Sequence, residues 1–287
     1  MALSPLSRRT ALGAGTAALA LALSACGASG SDSAASSAPT PDPANPVVVK
    51  VGANPVPHAQ ILEFVDENLA KEAGIDLEIQ EFDDYQMPNT ALNEGKIDAN
   101  YYMHEPFFNK QVEERGLKME HGEGVHIEPY AAFSQKFDSV DQVPDGATVA
   151  ITNDPGNQPR ALKMLEQAGL LQDIQDDSAA LTLTPEQNPK GLQFEENQPE
   201  ILVQILDDPA VDLAIINGNY FIQAGMTLED AVVVEEISGE NPYANFVAWR
   251  EGEKTPGVEK LDELLHSPEV KEYIEQTWPG GDVTPSF

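Results

Sequence analysis

The sequence predicts an α/β fold, with mainly parallel sheets flanked by helices, on two features of this 287-residue chain. Short β-branched runs alternate with segments whose apolar residues recur at helical spacing. Such alternation generates parallel strands with helices on the sheet faces. The stretch that carries it, Val47 to Phe287, is also longer than one sheet of this kind needs, which favours two lobes.

Taken in order, Val47-Val48-Val49-Lys50-Val51-Gly52 has the β-branched, Gly-ended character of a buried strand. From His58 to Glu72, Ile61, Leu62, Val65 and Leu69 share one helical face, opposite Glu63, Asp66 and Glu67, and Gly74 ends the helix. Ile75-Asp76-Leu77-Glu78-Ile79 alternates at period two and is a strand. A short helix follows over Asn89 to Asn93, then a strand over Ile97 to Tyr102. Downstream, Ala147 to Ile151 is a strand and Pro159 to Ala168 a helix. Leu213 to Ile216 is a strand that hands over to a helix around Tyr220 to Ala224. Val232 to Ile237 and Tyr243 to Trp249 are the last strands, and Val258 to Thr277 is helical with a break at Pro268.

The start of the chain reads differently. Residues 1–25 hold no acid; Arg8 and Arg9 precede an apolar run from Ala11 to Leu23, too short for a bilayer span and suited to an export signal. Ser7-Arg8-Arg9-Thr10-Ala11-Leu12 resembles a twin-arginine export signal, with Ala11 where that motif prefers Phe. The only cysteine closes Leu23-Ser24-Ala25-Cys26, which resembles the lipobox of bacterial lipoproteins; the resemblance implies cleavage before Cys26 and lipid on it. Residues 27–46 are Gly, Ala, Ser, Thr, Pro, Asp and Asn only, a composition that buries no core, so 26–46 reads as a flexible linker.

Composition and motifs exclude whole classes of activity. Asp+Glu number 48 against 16 Lys+Arg, a formal charge of −32. A nucleic-acid binder needs the opposite footprint, and charge alone does not dock this chain on anionic lipid. With its one cysteine committed to lipid, the chain has no thiol nucleophile. It has no Gly-rich phosphate loop, no Gly-x-Ser-x-Gly elbow and no His-Glu-x-x-His helix, so no enzyme and no cofactor is expected. His121 and His126, with Glu123 and Glu128 between and beside them, fit neither one helix face nor one strand face, and no metal is expected there.

What stands out is a set of polar and aromatic runs where strands hand over to helices, the place where open α/β sheets bind ligands. They are Asn54-Pro55-Val56-Pro57-His58, Asp84-Tyr85-Gln86-Met87-Pro88-Asn89 and Asp98 to Pro106 with Asn100-Tyr101-Tyr102-Met103-His104 inside. Then come Asn153-Asp154-Pro155-Gly156-Asn157-Gln158-Pro159-Arg160, Asn217-Gly218-Asn219-Tyr220 and Tyr243-Ala244-Asn245.

In this order and behind a lipobox, the six runs resemble the NlpA/MetQ family of methionine-binding lipoproteins of ABC importers, from Val47 to the end of the chain. The resemblance implies a two-lobed periplasmic-binding-protein fold of type II, with ligand held in the cleft between lobes. It implies lobe 1 at 47–126 with 241–287 returning to it, and lobe 2 at 127–240. It further implies L-methionine as ligand, an ABC permease and its ATPase subunit as partners, a monomer, and a lipid anchor at the extracytoplasmic face of the cell membrane. Carried over residue by residue, the ligand contacts fall on Tyr85, Tyr102, His104, Arg160, Asn217 and Asn245, with His58 near the cleft but outside the contact set. The chemistry suits the assignment: tyrosines favour a thioether, Arg160 a carboxylate, and the two asparagines an ammonium. Gly156 and Pro159 stand where the family writes Thr and Gly, and Tyr102 where Phe is frequent. D-methionine, a methionine-containing dipeptide and another amino acid therefore stay open as ligands.

Overall fold

The computed structural model describes residues 38–237 and 241–287; the export signal and Cys26 lie outside the described residues. They form two sheets flanked by helices. The first has the order β12 (Thr284–Pro285), β5 (His126–Ile127), β11 (Asn245–Arg250), β3 (Ala99–His104), β1 (Val47–Ala53), β2 (Ile75–Glu81), with β4 (Met119–His121) also on β11. The second runs β10 (Val233–Val234), β6 (Ala131–Phe133), β9 (Leu213–Ile216), β7 (Thr148–Thr152), β8 (Gln193–Asn197).

The expected β–α alternation builds the centre of each sheet. In the first, β1 (Val47–Ala53) pairs in parallel with β2 (Ile75–Glu81) and β3 (Ala99–His104). In the second, β7 (Thr148–Thr152) pairs in parallel with β8 (Gln193–Asn197) and β9 (Leu213–Ile216). The remaining strands are antiparallel: β4 (Met119–His121), β5 (His126–Ile127), β6 (Ala131–Phe133), β10 (Val233–Val234), β11 (Asn245–Arg250) and β12 (Thr284–Pro285). Most are only two or three residues long, too short to show a periodicity, which is why the sequence displays few of them. The strand expected over Val232 to Ile237 shrinks to the pair β10.

The helices follow the apolar faces. Gln60–Val65 (α1), continued by a wider turn over Asp66–Ala70, packs with α7 (Pro256–Leu265) and α8 (Pro268–Thr277) on the first sheet. Ile61, Leu62, Val65, Leu261 and Ile274 join Val49 and Val51 in one core. On the second sheet, Leu162 and Leu165 of α4 (Gln158–Gln167) meet Val149, Ile151 and Ile215. Between the sheets lies a third core, in which Phe82, Tyr85, Tyr102 and Phe107 from the first pack with Phe133, Ile216 and Phe221 from the second. A helix that the sequence pattern does not announce, α3 (Glu105–Arg115), feeds this core with Phe107 and Phe108. Two more short helices carry site residues at their starts, α2 (Met87–Asn93) and α6 (Gly218–Gln223), and α5 (Leu202–Ile205) packs on β9.

Residues 128–130 carry the chain from the first sheet to the second, and it returns after Val234, with residues 235–237 and 241–244 flanking the return. The front of the body begins slightly before β1: the N–H groups of Asp42 and Val47 both donate to the Gly74 carbonyl, at 3.2 and 2.9 Å. Gly74 has φ +80°, and a Cβ there would stand 2.3 Å from the Asp42 nitrogen, so this helix stop also seats residues 42–47.

Candidate ligand-binding site

All six residues expected at the ligand, Tyr85, Tyr102, His104, Arg160, Asn217 and Asn245, line one cavity between the two sheets. The empty space, its opening included, is about 380 Å³. Each residue stands at an element end, and the local chemistry explains why.

Tyr85 lies in the β2–α2 loop, where Asp84 Oδ1 accepts the Gln86 and Met87 N–H groups (2.6 and 2.8 Å) and so starts α2. Its hydroxyl crosses the cleft to donate to Asn219 Oδ1 at 2.6 Å. Tyr102 comes from β3 and donates its hydroxyl to the Tyr85 carbonyl at 2.9 Å, which gives the added oxygen a partner. With Phe107, whose ring meets Tyr85 edge-on at 5.7 Å, these two form an aromatic wall.

His104 closes β3 and caps α3: its Nδ1 accepts the Phe107 N–H at 3.3 Å. The other nitrogen, Nε2, donates to Asn157 Oδ1 across the cleft at 2.8 Å. Burial and the nearby Arg160 charge lower its pKa to about 3, so the ring is neutral. Both nitrogens serve the protein, leaving the ring face for a ligand.

Arg160 is the third residue of α4, and Pro159 sits in the first turn, where a missing N–H costs no hydrogen bond. Its Nε and Nη2 donate to the two carboxylate oxygens of Glu235 at 2.9 and 2.6 Å, and Nη2 also reaches the Glu128 carbonyl at 2.7 Å. The guanidinium lies over Tyr243 at 4.2 Å and Tyr130 at 4.8 Å. Glu128 and Tyr130 belong to one connecting segment, Glu235 and Tyr243 to the other. Arg160 thus grips both. The sequence suggests a fork free for a ligand; the structure gives two of its nitrogens to Glu235, and Nη1 has no hydrogen-bond partner among the described residues.

Asn217 precedes α6 without capping it, and its buried Oδ1 has no hydrogen-bond partner among the described residues. Asn245 opens β11; its Oδ1 accepts from His58 Nε2 at 3.2 Å. His58 itself lines the cavity, closer than the sequence places it.

The residue that sequence reasoning misses is Glu128. It is 6 % exposed, lines the cavity, and its Oε1 stands 2.7 Å from His126 Nε2 and 3.3 Å from His58 Nε2. Gly218 lets it in: a Cβ there would fall 2.3 Å from the Glu128 Cβ. Burial raises the Glu128 carboxyl above its ordinary range, while it lowers His58 to about 4 and His126 to about 3. The imidazoles are therefore neutral donors, and the Tyr101 hydroxyl is hydrogen-bonded to His126 Nδ1 from behind. The signal for Glu128 in the sequence is weak, because apart from His126 its partners lie far away along the chain and it is one of 48 acids.

His58, His126 and Glu128 offer donor atoms that all lie within 4.8 Å of one another. Ligands of a tetrahedral ion bonded at about 2.0–2.1 Å stand roughly 3.3 Å apart. The 2.7 Å contact of His126 is instead a hydrogen-bond length, and the group reads as a hydrogen-bonded chain. His121 is separate, stacked on Phe246 at 3.9 Å.

Known proteins resemble this chain over most of its length. Residues 49–287 match the family model described as NlpA lipoprotein. The methionine-binding lipoprotein MetQ of Bacillus subtilis is 36 % identical over 236 residues, which cover 81 % of this chain and 86 % of that one. The structure of a nutrient-binding protein from Burkholderia cenocepacia, bound to methionine, superposes with a TM-score of 0.77 at 34 % identity, covering 83 % of this chain and 100 % of that one. The crystal structure of the methionine-binding protein MetQ superposes at 0.78, with 32 % identity, covering 86 % of this chain and 99 % of that one. With the match spanning both sheets and every element that lines the cavity, this chain belongs to the NlpA lipoprotein family.

Proposed function

We propose that the protein is the substrate-binding component of an ABC importer, anchored through lipid on Cys26 at the extracytoplasmic face of the cell membrane. It binds L-methionine between its lobes, 47–126 with 241–287 and 127–240, and hands it to a permease powered by a separate ATPase. No bond is made or broken in the cavity.

One observation carries this reading: a single cavity opposes an aromatic wall of Tyr85, Tyr102 and Phe107 to a polar end of Arg160, Asn217 and Asn245. That is the polarity of an amino acid with a soft apolar side chain. Each thioether–aromatic contact contributes about 0.3–1.5 kcal/mol. At the polar end, Arg160 Nη1 is the donor left for an α-carboxylate, and the first turn of α4 adds its N–H dipoles. His104 contributes its ring face, and Asn217 Oδ1 an acceptor. Methionine names among the relatives agree with this chemistry.

Isothermal titration of the purified protein with L-methionine tests the reading, with D-methionine and glycyl-methionine alongside. Saturable heat with L-methionine, tightest of the three, is expected. Tighter D-methionine or dipeptide binding would move the specificity within the same class. No heat and no thermal shift at about 1 mM of any of them, where even weak specific ligands register, would end the methionine reading.

A further inference from the structure

Resting on the reading of the cavity as an amino-acid site, a second charged subsite follows from how its acids are paired. Of the buried carboxylates around Arg160, Glu235 takes the guanidinium through two hydrogen bonds. Glu128 receives from the same arginine only a bond to its main-chain carbonyl. Its side chain is held by neutral groups: the imidazoles of His58 and His126 and the Asn219 backbone N–H. No Lys or Arg side chain pairs with its carboxylate among the described residues.

A carboxylate buried this deeply without a cation is costly unless something supplies one. Beside it on the cavity wall, Asn217 Oδ1 is a buried acceptor with no donor among the described residues. A buried carboxylate that has neutral donors but no cation, next to an acceptor without a donor, describes a site for a group that brings N–H bonds and a positive charge. The backbone is shaped to hold Glu128 there. Gly218 admits its Cβ, and His126, backed by Tyr101, fixes Oε1.

We propose that Glu128 is the anchor for the free α-ammonium of the ligand and sets a requirement for an unblocked amine. Arg160 and Glu128 then divide a zwitterion between them, and Glu128 distinguishes an amino acid from the corresponding carboxylic acid or N-acyl derivative. The neutral asparagines share the ammonium rather than carrying it.

The experiment titrates native protein and Glu128→Gln with L-methionine, 4-(methylthio)butanoate, which lacks only the amine, and N-acetyl-L-methionine. For the native protein, both analogues are expected at least about 100-fold weaker than L-methionine, since a site built to pair a polar group rejects the analogue without it. Glu128→Gln is expected to weaken L-methionine at least about tenfold and leave 4-(methylthio)butanoate unchanged or tighter, the mark of a pairwise interaction. Native affinity for 4-(methylthio)butanoate or for N-acetyl-L-methionine within about threefold of that for L-methionine, or undiminished L-methionine binding by Glu128→Gln, would overturn the proposal. Should Glu128→Gln fail to fold, the analogue comparison on native protein decides alone. A native protein that binds none of the three removes the methionine reading, and this proposal with it; one that binds L-methionine and its analogues alike removes this proposal only.

Discussion

Arg160 shows how one side chain ties the site to the fold. It is 5 % exposed, pairs with a carboxylate that is 8 % exposed, and touches both segments that connect the sheets. Replacing it by Met removes the cation and leaves Glu235 buried with the Tyr130 N–H, at 3.0 Å, but no charge to pair with. Breaking such a pair from one side costs about 3–5 kcal/mol, whereas replacing both partners with apolar groups is often neutral. Arg160→Met should therefore lower stability by that order in urea unfolding, and Arg160→Met with Glu235→Met should recover much of the loss. A single variant as stable as the native protein would show that the pair does not hold the connecting segments. At this scale the sequence is an uneven guide. Arg160 and Tyr102 stand out because their runs are locally unusual. Glu128 and Glu235 do not, because the contacts that bring them to Arg160 span 32 and 75 residues, to the Glu128 carbonyl and to the Glu235 carboxylate. Nothing near Glu235 in the sequence distinguishes it from its many neighbours of the same type, and His126 beside Glu128 gains its meaning only when the distant His58 joins the same carboxylate.

Among the elements, helix starts are written most legibly. Thr255 and Ser267 accept the Val258 and Val270 N–H groups at 3.2 and 3.3 Å, each just ahead of a Pro in the first turn. Thr255→Ala should cost about 1 kcal/mol, an ordinary N-cap loss measurable by thermal unfolding, without changing ligand affinity because α7 lies away from the cavity. The β7–α4 loop behaves in the opposite way. Gly156 sits where a Cβ would stand 2.8 Å from the Phe107 Cα, across the cleft and against backbone that cannot swing aside. Gly156→Ala should hinder close approach of the two sheets more than it hinders folding of either. Ligand affinity should fall about tenfold or more while the unfolding midpoint of the empty protein stays within a few degrees. An unchanged affinity would mean that this contact does not limit closure. The hidden elements have a common cause: α3 begins on a capping His, and β4, β5, β6 and β10 are two or three residues long. Their positions are decided by pairing with distant strands, which periodicity does not record.

For the whole molecule, the acidic composition and the buried histidines act in different pH ranges. His58, His104 and His126 are held neutral by burial, with pKa values of about 4, 3 and 3 against 6.5 in an unfolded chain. Below pH 6.5 the unfolded state takes up protons that the folded state refuses. Their contribution is therefore complete above that pH and declines as the pH falls toward 3 to 4, by about 1.4 kcal/mol per pH unit for each residue. Glu128 and Asp154 act in the opposite sense: their carboxyls are raised by burial, so the folded state binds a proton first and gains stability as the pH falls. Three imidazoles against two carboxyls leave a net loss on acidification. Between pH 7 and pH 5 ordinary surface carboxylates stay ionised, so relief of repulsion among the 48 acids does not yet mask it. The melting temperature should accordingly drop on going from pH 7 to pH 5. The drop should be steeper in Glu128→Gln, which retains the histidines and lacks one opposing carboxyl. A melting temperature that is flat or rising over this interval would mean that these imidazoles accept protons in the folded protein. The neutral-donor account of the chain from Tyr101 through His126 to Glu128 would then be wrong.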